Sequence, residues 1–323
     1  MNIQNTLRDN TWAVISMAII LSFVAPKIGI GISGLVGYML MVLMYLSCLD
    51  ISGKKIIQQF INWKKILILL LVIHLLSPFL IFLFKELFGQ EIFVGLILAA
   101  TMPAGMSIVF LSQMYSQTQM KSNRINQFFY NFFSKLFPVS SGPASKALVI
   151  MTVSHILSPI TVPLVMLLFA GTFLQIDIWL ISFTIIKYVL IPIAFATLFT
   201  SHEMKQRFKK YNISVSLFLL FFIMLGVISP LRETILSNIK LSIFLALVIF
   251  VLLLINFLVG YLLGFGRNEK ITYGISANYK NFVLASVVAF SLFSPLYALP
   301  AIVYAVMNNF FLIPLQLIIL RKK

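Results

Sequence analysis

Acidic side chains are scarce in this sequence of 323 residues: eight aspartates and glutamates stand against 24 lysines and arginines. Asp9, Asp50, Glu86, Glu91, Asp177, Glu203, Glu233 and Glu269 all fall in loops or at the ends of apolar runs. The intramembrane carboxylate of proton relays and charged sodium sites is therefore missing. One cysteine, Cys48, excludes an internal disulfide and a cysteine-built metal cluster, and within its apolar run it reads as a small buried filler. Charged residues make up only 10% and hydrophobic ones 61%, against about 25% and about 45–50% in soluble domains. Such a chain is an all-α, polytopic membrane protein. A net charge of +16 would suggest nucleic acid in a soluble protein. Here the basic residues cluster in short loops between apolar runs, which is a pattern of membrane orientation, so the expected partner is the lipid bilayer and no nucleic acid. His74 and His155 stand singly on apolar runs with no histidine or carboxylate three or four residues on. They read as hydrogen-bonded structural residues, and no metal or cofactor is expected. Without a phosphate loop or a gathered nucleophile and base, enzyme activity is not expected either.

What is present is a succession of apolar runs at about 12–30, 32–49, 66–84, 92–114, 147–170, 178–199, 213–229, 241–264, 271–294 and 297–320, each near the length of a membrane helix. The first leads straight into the second and reads as a retained helix rather than a cleaved signal. With the N-terminus placed inside, only Lys27, Lys85, Arg232 and Lys240 fall in outside loops, and Lys187 and Lys280 lie within runs. The other basic residues are all inside, which predicts a multi-pass protein of the cell membrane with both termini cytoplasmic. The halves echo one another weakly, Ile73-His74 against Ile255-Asn256, each followed by a polar-interrupted run. The reading is two inverted five-helix repeats: 11–170, with an interfacial insertion at 116–146, and 175–320. Within the insertion, Phe128, Phe129, Phe132, Phe133 and Phe137 predict an amphipathic helix over 121–137 lying in the membrane interface.

Two interruptions carry the chemistry. Met102-Pro103-Ala104-Gly105 places a helix breaker and a flexible residue mid-run, either as a plain proline kink or as a discontinuous binding helix. Asn278-Tyr279-Lys280-Asn281 places an ammonium and two amides at the middle of the ninth run, where an ionisable group must face protein or water. Pro103 and Gly105 are the helix-break residues. Asn278, Lys280, Asn281 and Asn309, with Met106 and Ser107 just past the first break, are the candidate substrate-binding residues. For Asn308 and Asn309 an interhelical hydrogen bond is an equal alternative. Lys187, beside Tyr188, reads as a packed partner.

These residues resemble the bile acid:sodium symporter superfamily over nearly the whole chain, from about Gly34 to Leu320. The likeness is carried by Glu91 to Gly105, by Ala147 to Gly171 with its Ser158-Pro159-Ile160-Thr161-Val162-Pro163, and by Asn281 to Ala285. It implies ten helices in two inverted repeats, a panel of spans 1, 2, 6 and 7, and a core of the others in which broken spans 4 and 9 cross. Organic anions are the cargo and sodium the coupling ion that it implies. Its sodium-liganding positions fall on Ile73, Ile108, Val109, Ala147, Met151, Ser276 and Lys280, so the oxygens a sodium ion needs are replaced. Its amides near substrate fall on Asn281 and Asn309. The sister arsenite-efflux permeases share the Asn281-Phe282 motif, but their thiolate and acid positions fall on Ala104 and Val283. The expectation is a secondary transporter of a small organic anion by alternating access, sodium-independent, with Lys280 and Ser276 at the ion's place. Lys280 acts either as a tethered cation or as a proton carrier. Sodium- or proton-coupled symport, arsenite-type efflux, and a non-transporting sensor or enzyme are the alternatives. The cargo's identity, the direction of transport and the oligomeric state are not legible.

Overall fold

A computed structural model describes residues 11–49, 63–105, 108, 111–112, 143–173, 175–209 and 212–320. Met106, Ser107 and the 121–137 segment lie outside the described residues. The elements in chain order are α1 Thr11–Val24, α2 Pro26–Cys48, α3 Lys64–Leu83, α4 Gln90–Thr101, α5 Pro143–Ala170, α6 Ile178–Phe199, α7 His202–Lys209, α8 Asn212–Ile228, α9 Ile239–Leu263, α10 Gly266–Asn278, α11 Phe282–Leu292 and α12 Pro295–Leu320. No strand occurs among the described residues, and six helices are long and apolar enough to cross a membrane. The protein is thus an all-α, multi-pass membrane protein. Its first helix ends earlier than the sequence suggests. Ala25 leaves the helical region and Pro26 opens α2, because proline disfavours helix in the residue before it and is well suited to a first turn.

Large apolar side chains on the outward faces stay exposed, Trp179 at 74% and Leu262 at 76%. A face of that kind is built to meet lipid rather than water. Inside, α8 packs on α1 and α2, and α6 packs on α2. A second group forms where α9 lies along α10, α12 along α4, and α5 against α4 and α10. Close approach in that group depends on missing side chains. A Cβ on Gly260 would stand 2.5 Å from the Tyr273 carbonyl oxygen, and one on Gly95 would stand 2.3 Å from that of Tyr297.

Prolines inside these helices leave carbonyls one turn back without an amide partner, and in a membrane no water replaces it. In α5 both such carbonyls have a side-chain donor. Pro159 frees the His155 carbonyl, to which Ser158 Oγ donates at 2.7 Å. Pro163 frees the Pro159 carbonyl, and Ser182 Oγ donates to it from α6 at 2.8 Å.

At one end of the second group the first turns of α3, α5 and α10 converge on Glu269. Lys146 Nζ donates to its Oε1 at 2.9 Å, Lys65 Nζ to its Oε2 at 3.5 Å, and the Phe265 N–H to Oε2 at 2.6 Å. Three positive helix ends and two ammonium groups thus surround one carboxylate. Burial by itself would raise its pKa. The hydrogen bond and charge of Lys146, the Phe265 amide and Lys65 outweigh that and hold it below the ordinary carboxylate value.

The ion cluster should be measurable as stability. Replacing Glu269 by Gln leaves two poorly solvated ammonium groups facing each other and should cost on the order of 2 kcal/mol, less than the ~3–5 kcal/mol of a fully buried pair. Because the folded carboxyl is the stronger acid, its contribution is complete above about pH 4.3 and is lost progressively below it. Thermal midpoints in detergent should therefore differ between wild type and Glu269→Gln at neutral pH and converge in acid. Equal midpoints at neutral pH would remove the cluster from the stability of the fold.

Candidate functional site

Both polar interruptions are breaks in the helical winding, and they meet. After Thr101 the backbone opens at Met102, with φ −55° and ψ 148°. After Asn278 it opens at Tyr279, with φ −84° and ψ 103°. The extended pieces run antiparallel and exchange two hydrogen bonds, Gly105 N–H to the Tyr279 carbonyl at 2.6 Å and Asn281 N–H to the Pro103 carbonyl at 2.8 Å. Ala104 and Lys280 lie opposite one another between those bonds, the position at which paired backbones approach most closely. Gly105 is required there, since a Cβ would stand 2.5 Å from the Tyr279 ring.

Two further backbone groups released at the first break find specific side chains. Ser154 Oγ, on α5, accepts the Ala104 N–H at 3.1 Å. That leaves the serine proton for His74 Nε2 at 3.0 Å, and the imidazole then donates from Nδ1 to the Thr101 carbonyl at 3.0 Å. The chain of donors assigns His74 a neutral, Nδ1-protonated ring. Both ring nitrogens are thus engaged, as expected of a hydrogen-bonded histidine on an apolar run.

At the second break Asn281 caps α11. Its Oδ1 accepts the Leu284 N–H at 3.1 Å, while its Nδ2 donates to His155 Nε2 at 3.2 Å and His155 Nδ1 donates to the Met151 carbonyl at 2.8 Å. Capping the half-helix and bracing it against α5 thus engage both ends of its amide.

Lys280 is fully buried, and its ammonium donates to the carbonyl of Ile73. The reason that carbonyl is free lies in α3, where Val72–Leu76 winds as a π-helix. In that winding the next amide due to bond back, to Ile73, belongs to residue 78, which is proline. The lysine supplies the donor that the chain lacks.

The remaining sequence candidates are placed as follows. Asn278 and Ser276 are buried on the last turns of α10, and Asn278 Oδ1 and Ser276 Oγ have no hydrogen-bond partner. Asn309 lies on α12, with its side chain outside the described residues. Pro103 and Gly105 sit at the break itself. Positions where the family resemblance would put sodium ligands are packed apolar core: Ile73, Ile108, Ala147 and Met151 are buried.

Sequence reasoning missed Ser154, whose only signal is its place next to His155. It also missed a cavity of about 410 Å³ lined by Ser33, Gly34, Val36, Gly37, Tyr38, Tyr188, Gly226, Val227, Pro230, Val287, Phe290 and Ser291. This cavity lies between α2, α6, the end of α8 and the far end of α11. None of the sequence candidates lines it, and no charged residue does. The nearest cation to its rings is Lys187, with its ammonium 5.3 Å from the Tyr188 ring centroid. The signal was the pair of small residues Gly34 and Gly37 of α2, both of which line it.

Among curated proteins none matches the chain. Residues 136–238 match the family model described as the Sodium Bile acid symporter family. The matched stretch holds Ser154 and His155, which brace the two breaks, and Tyr188, Gly226, Val227 and Pro230 of the cavity wall, though neither break itself. Over that stretch the chain is similar to the sodium bile acid symporter family.

Proposed function

We propose that this protein is a sodium-independent secondary transporter of a small organic anion, working by alternating access, in which Lys280 stands where related transporters hold a coupling ion. Supporting this reading is one observation above the others: an ammonium group, delivered by the broken ninth span, fills a backbone carbonyl that Pro78 leaves without a partner. A monovalent cation held by carbonyl oxygen is the arrangement a sodium site would present, and Lys280 presents it covalently. The framework of the proposal is ten spans in two inverted repeats, 11–170 and 175–320, with α1, α2, α6 and α8 as the panel and the other spans as the core. The membrane is the cell membrane and both termini are cytoplasmic.

The cargo's apolar body is assigned to the 410 Å³ cavity, a volume within the range of about 300–1,000 Å³ for small-molecule sites. Tyr38, Tyr188 and Phe290 offer it rings, and Ser33 and Ser291 offer hydroxyls. Its acid group is drawn toward the positive end of α11, where Lys280 and Asn281 stand. Proton coupling is the second reading. It is favoured by the complete burial of Lys280 with no described carboxylate beside it, since such a lysine can release its proton during the cycle. Arsenite efflux finds no thiolate at the crossing: Ala104 and Val283 are buried apolar residues, and the free thiol of Cys48 is on α2.

Proteoliposome uptake of a panel of labelled carboxylates and sulfonates should proceed equally with sodium, potassium or choline outside, and Lys280→Gln should reduce it at least about tenfold, the effect of losing one hydrogen bond from a charged donor. Uptake that requires a sodium gradient would end the tethered-cation reading. Uptake driven by a pH gradient, and lost in Lys280→Gln, would select the proton mechanism. Gly37→Leu tests the cavity separately. The site of a Gly37 Cβ is 2.7 Å from the Tyr188 ring, so the new side chain must displace that ring within the cavity wall. Uptake should fall while the protein still elutes as a monodisperse membrane protein; undiminished uptake would detach the cavity from the cargo.

A further inference from the structure

Lys280 has an unanswered charge. Of the eight acidic residues in the sequence, Glu269 is engaged by Lys65 and Lys146 at the end of α10, and the other described carboxylates lie in loops or at helix ends. No described carboxylate faces the lysine. The Ile73 carbonyl that holds the ammonium lies one turn before Ser77 on the same face of α3 and points toward that turn. Around Ser77 the structure gathers polar side chains from three helices. Asn256 of α9 donates from Nδ2 to Ser77 Oγ at 2.6 Å. The Tyr304 hydroxyl of α12 faces the same pair without a well-formed hydrogen bond to either. Asn308, one turn further along α12 on the same face, has both amide atoms buried and unpartnered. Asn256 Oδ1 is unpartnered too. All four side chains are sealed from the surface, Ser77, Asn256 and Tyr304 at 0% and Asn308 at 1% exposure.

Buried polar atoms without partners mark a missing ligand, and a buried cation beside them sets its sign. We propose that Lys280, Ser77, Asn256, Tyr304 and Asn308 form a binding site for a small inorganic anion, of the size and charge of chloride, held inside the protein as the counter-ion of the lysine. Hydroxyl protons of Ser77 and Tyr304 and the amide of Asn308 are its neutral donors. Asn256 can take the place of Ser77 among them after a half-turn of its amide, in which the one serine proton goes to Oδ1 and Nδ2 turns to the anion. Because the neighbours of these residues along their helices, Ile73, Leu253, Ala301 and Ala305, are buried apolar core, the place suits an ion without an organic body. A second cation is disfavoured there by the lysine. This site is separate from the organic-anion cavity, none of whose lining residues it shares. It shares Lys280 with the transport reading, but its test measures binding without transport.

The experiment titrates chloride, and in parallel bromide, into purified protein in gluconate at constant ionic strength. The readouts are the thermal midpoint and the width of the chloride-35 magnetic resonance line. Wild type should show a saturable rise in midpoint and saturable line broadening, displaced by bromide. Lys280→Met should abolish both, and Asn308→Leu should weaken half-saturation about tenfold, the effect of one hydrogen bond to a charged group. Lys187→Met, which leaves the pocket intact, should match wild type. Should Lys280→Met fail to fold, Asn308→Leu and Tyr304→Phe decide the matter. Indifference of wild type to halide would overturn the proposal and leave the pocket to water. A response retained in Lys280→Met, or in both Asn308→Leu and Tyr304→Phe, would overturn it as well. Because no uptake is measured, failure here leaves the transport reading standing, and a sodium requirement in uptake leaves the anion site standing.

Discussion

Inside a membrane a backbone carbonyl or amide that loses its helical partner cannot turn to water, and everything at the centre of this protein answers that constraint. Two helices are interrupted, and the simplest answer is that each break completes the other through a two-bond antiparallel pair at Ala104 and Lys280. What the pair leaves open is closed by His74, Ser154 and Asn281 in fixed donor and acceptor roles. The same rule extends to the prolines. Pro159, Pro163 and Pro78 each release a carbonyl, met in turn by a serine one residue back, a serine on the neighbouring helix, and the ammonium of Lys280. Histidine, serine and lysine in apolar runs are thus parts of one hydrogen-bond account.

That account separates two kinds of polar residue near the crossing. Asn281 and His74 are hydrogen-bonded at both ends, to backbone on one side and to a bracing side chain on the other. Asn278, Ser276, Asn256 and Asn308 retain buried atoms without partners. Groups of the second kind are costly unless something binds them, by roughly 1–3 kcal/mol each. They are therefore the better guide to ligand chemistry, whereas an asparagine that is prominent in the sequence can be a helix cap.

Family likeness and local chemistry also separate. The family match lies at 136–238, over α5, α6, α8 and the turns between them, while the residues that would hold sodium in the resemblance are buried hydrocarbon at Ile73, Ile108, Ala147 and Met151. A scaffold of crossed, broken helices needs a cation at its centre only so far as its carbonyls need donors. An ammonium on a four-carbon stem can serve that electrostatic end, though it cannot leave.

The membrane character, the places of both breaks and the isolation of Lys280 were legible in the sequence, because each rests on a local property: run length, a proline and glycine pair, a charge among apolar residues. Residues 102–105 and 279–281 were marked by composition alone. Helix limits were legible to within a few residues, except where Pro26 cut the first run short. Tertiary structure decided what no single run contains. That Gly105 and Tyr279 would pair, that the π-wound turn of α3 would present its Ile73 carbonyl to Lys280, and that Glu269 would gather Lys65 and Lys146 all depend on contacts between residues far apart in the chain. The cavity between α2, α6, α8 and α11 was hidden for the same reason, since a void belongs to the fit between helices and to none of them singly. An amide or hydroxyl in a hydrophobic run announces that it will have a partner; which partner is settled only when the helices have packed.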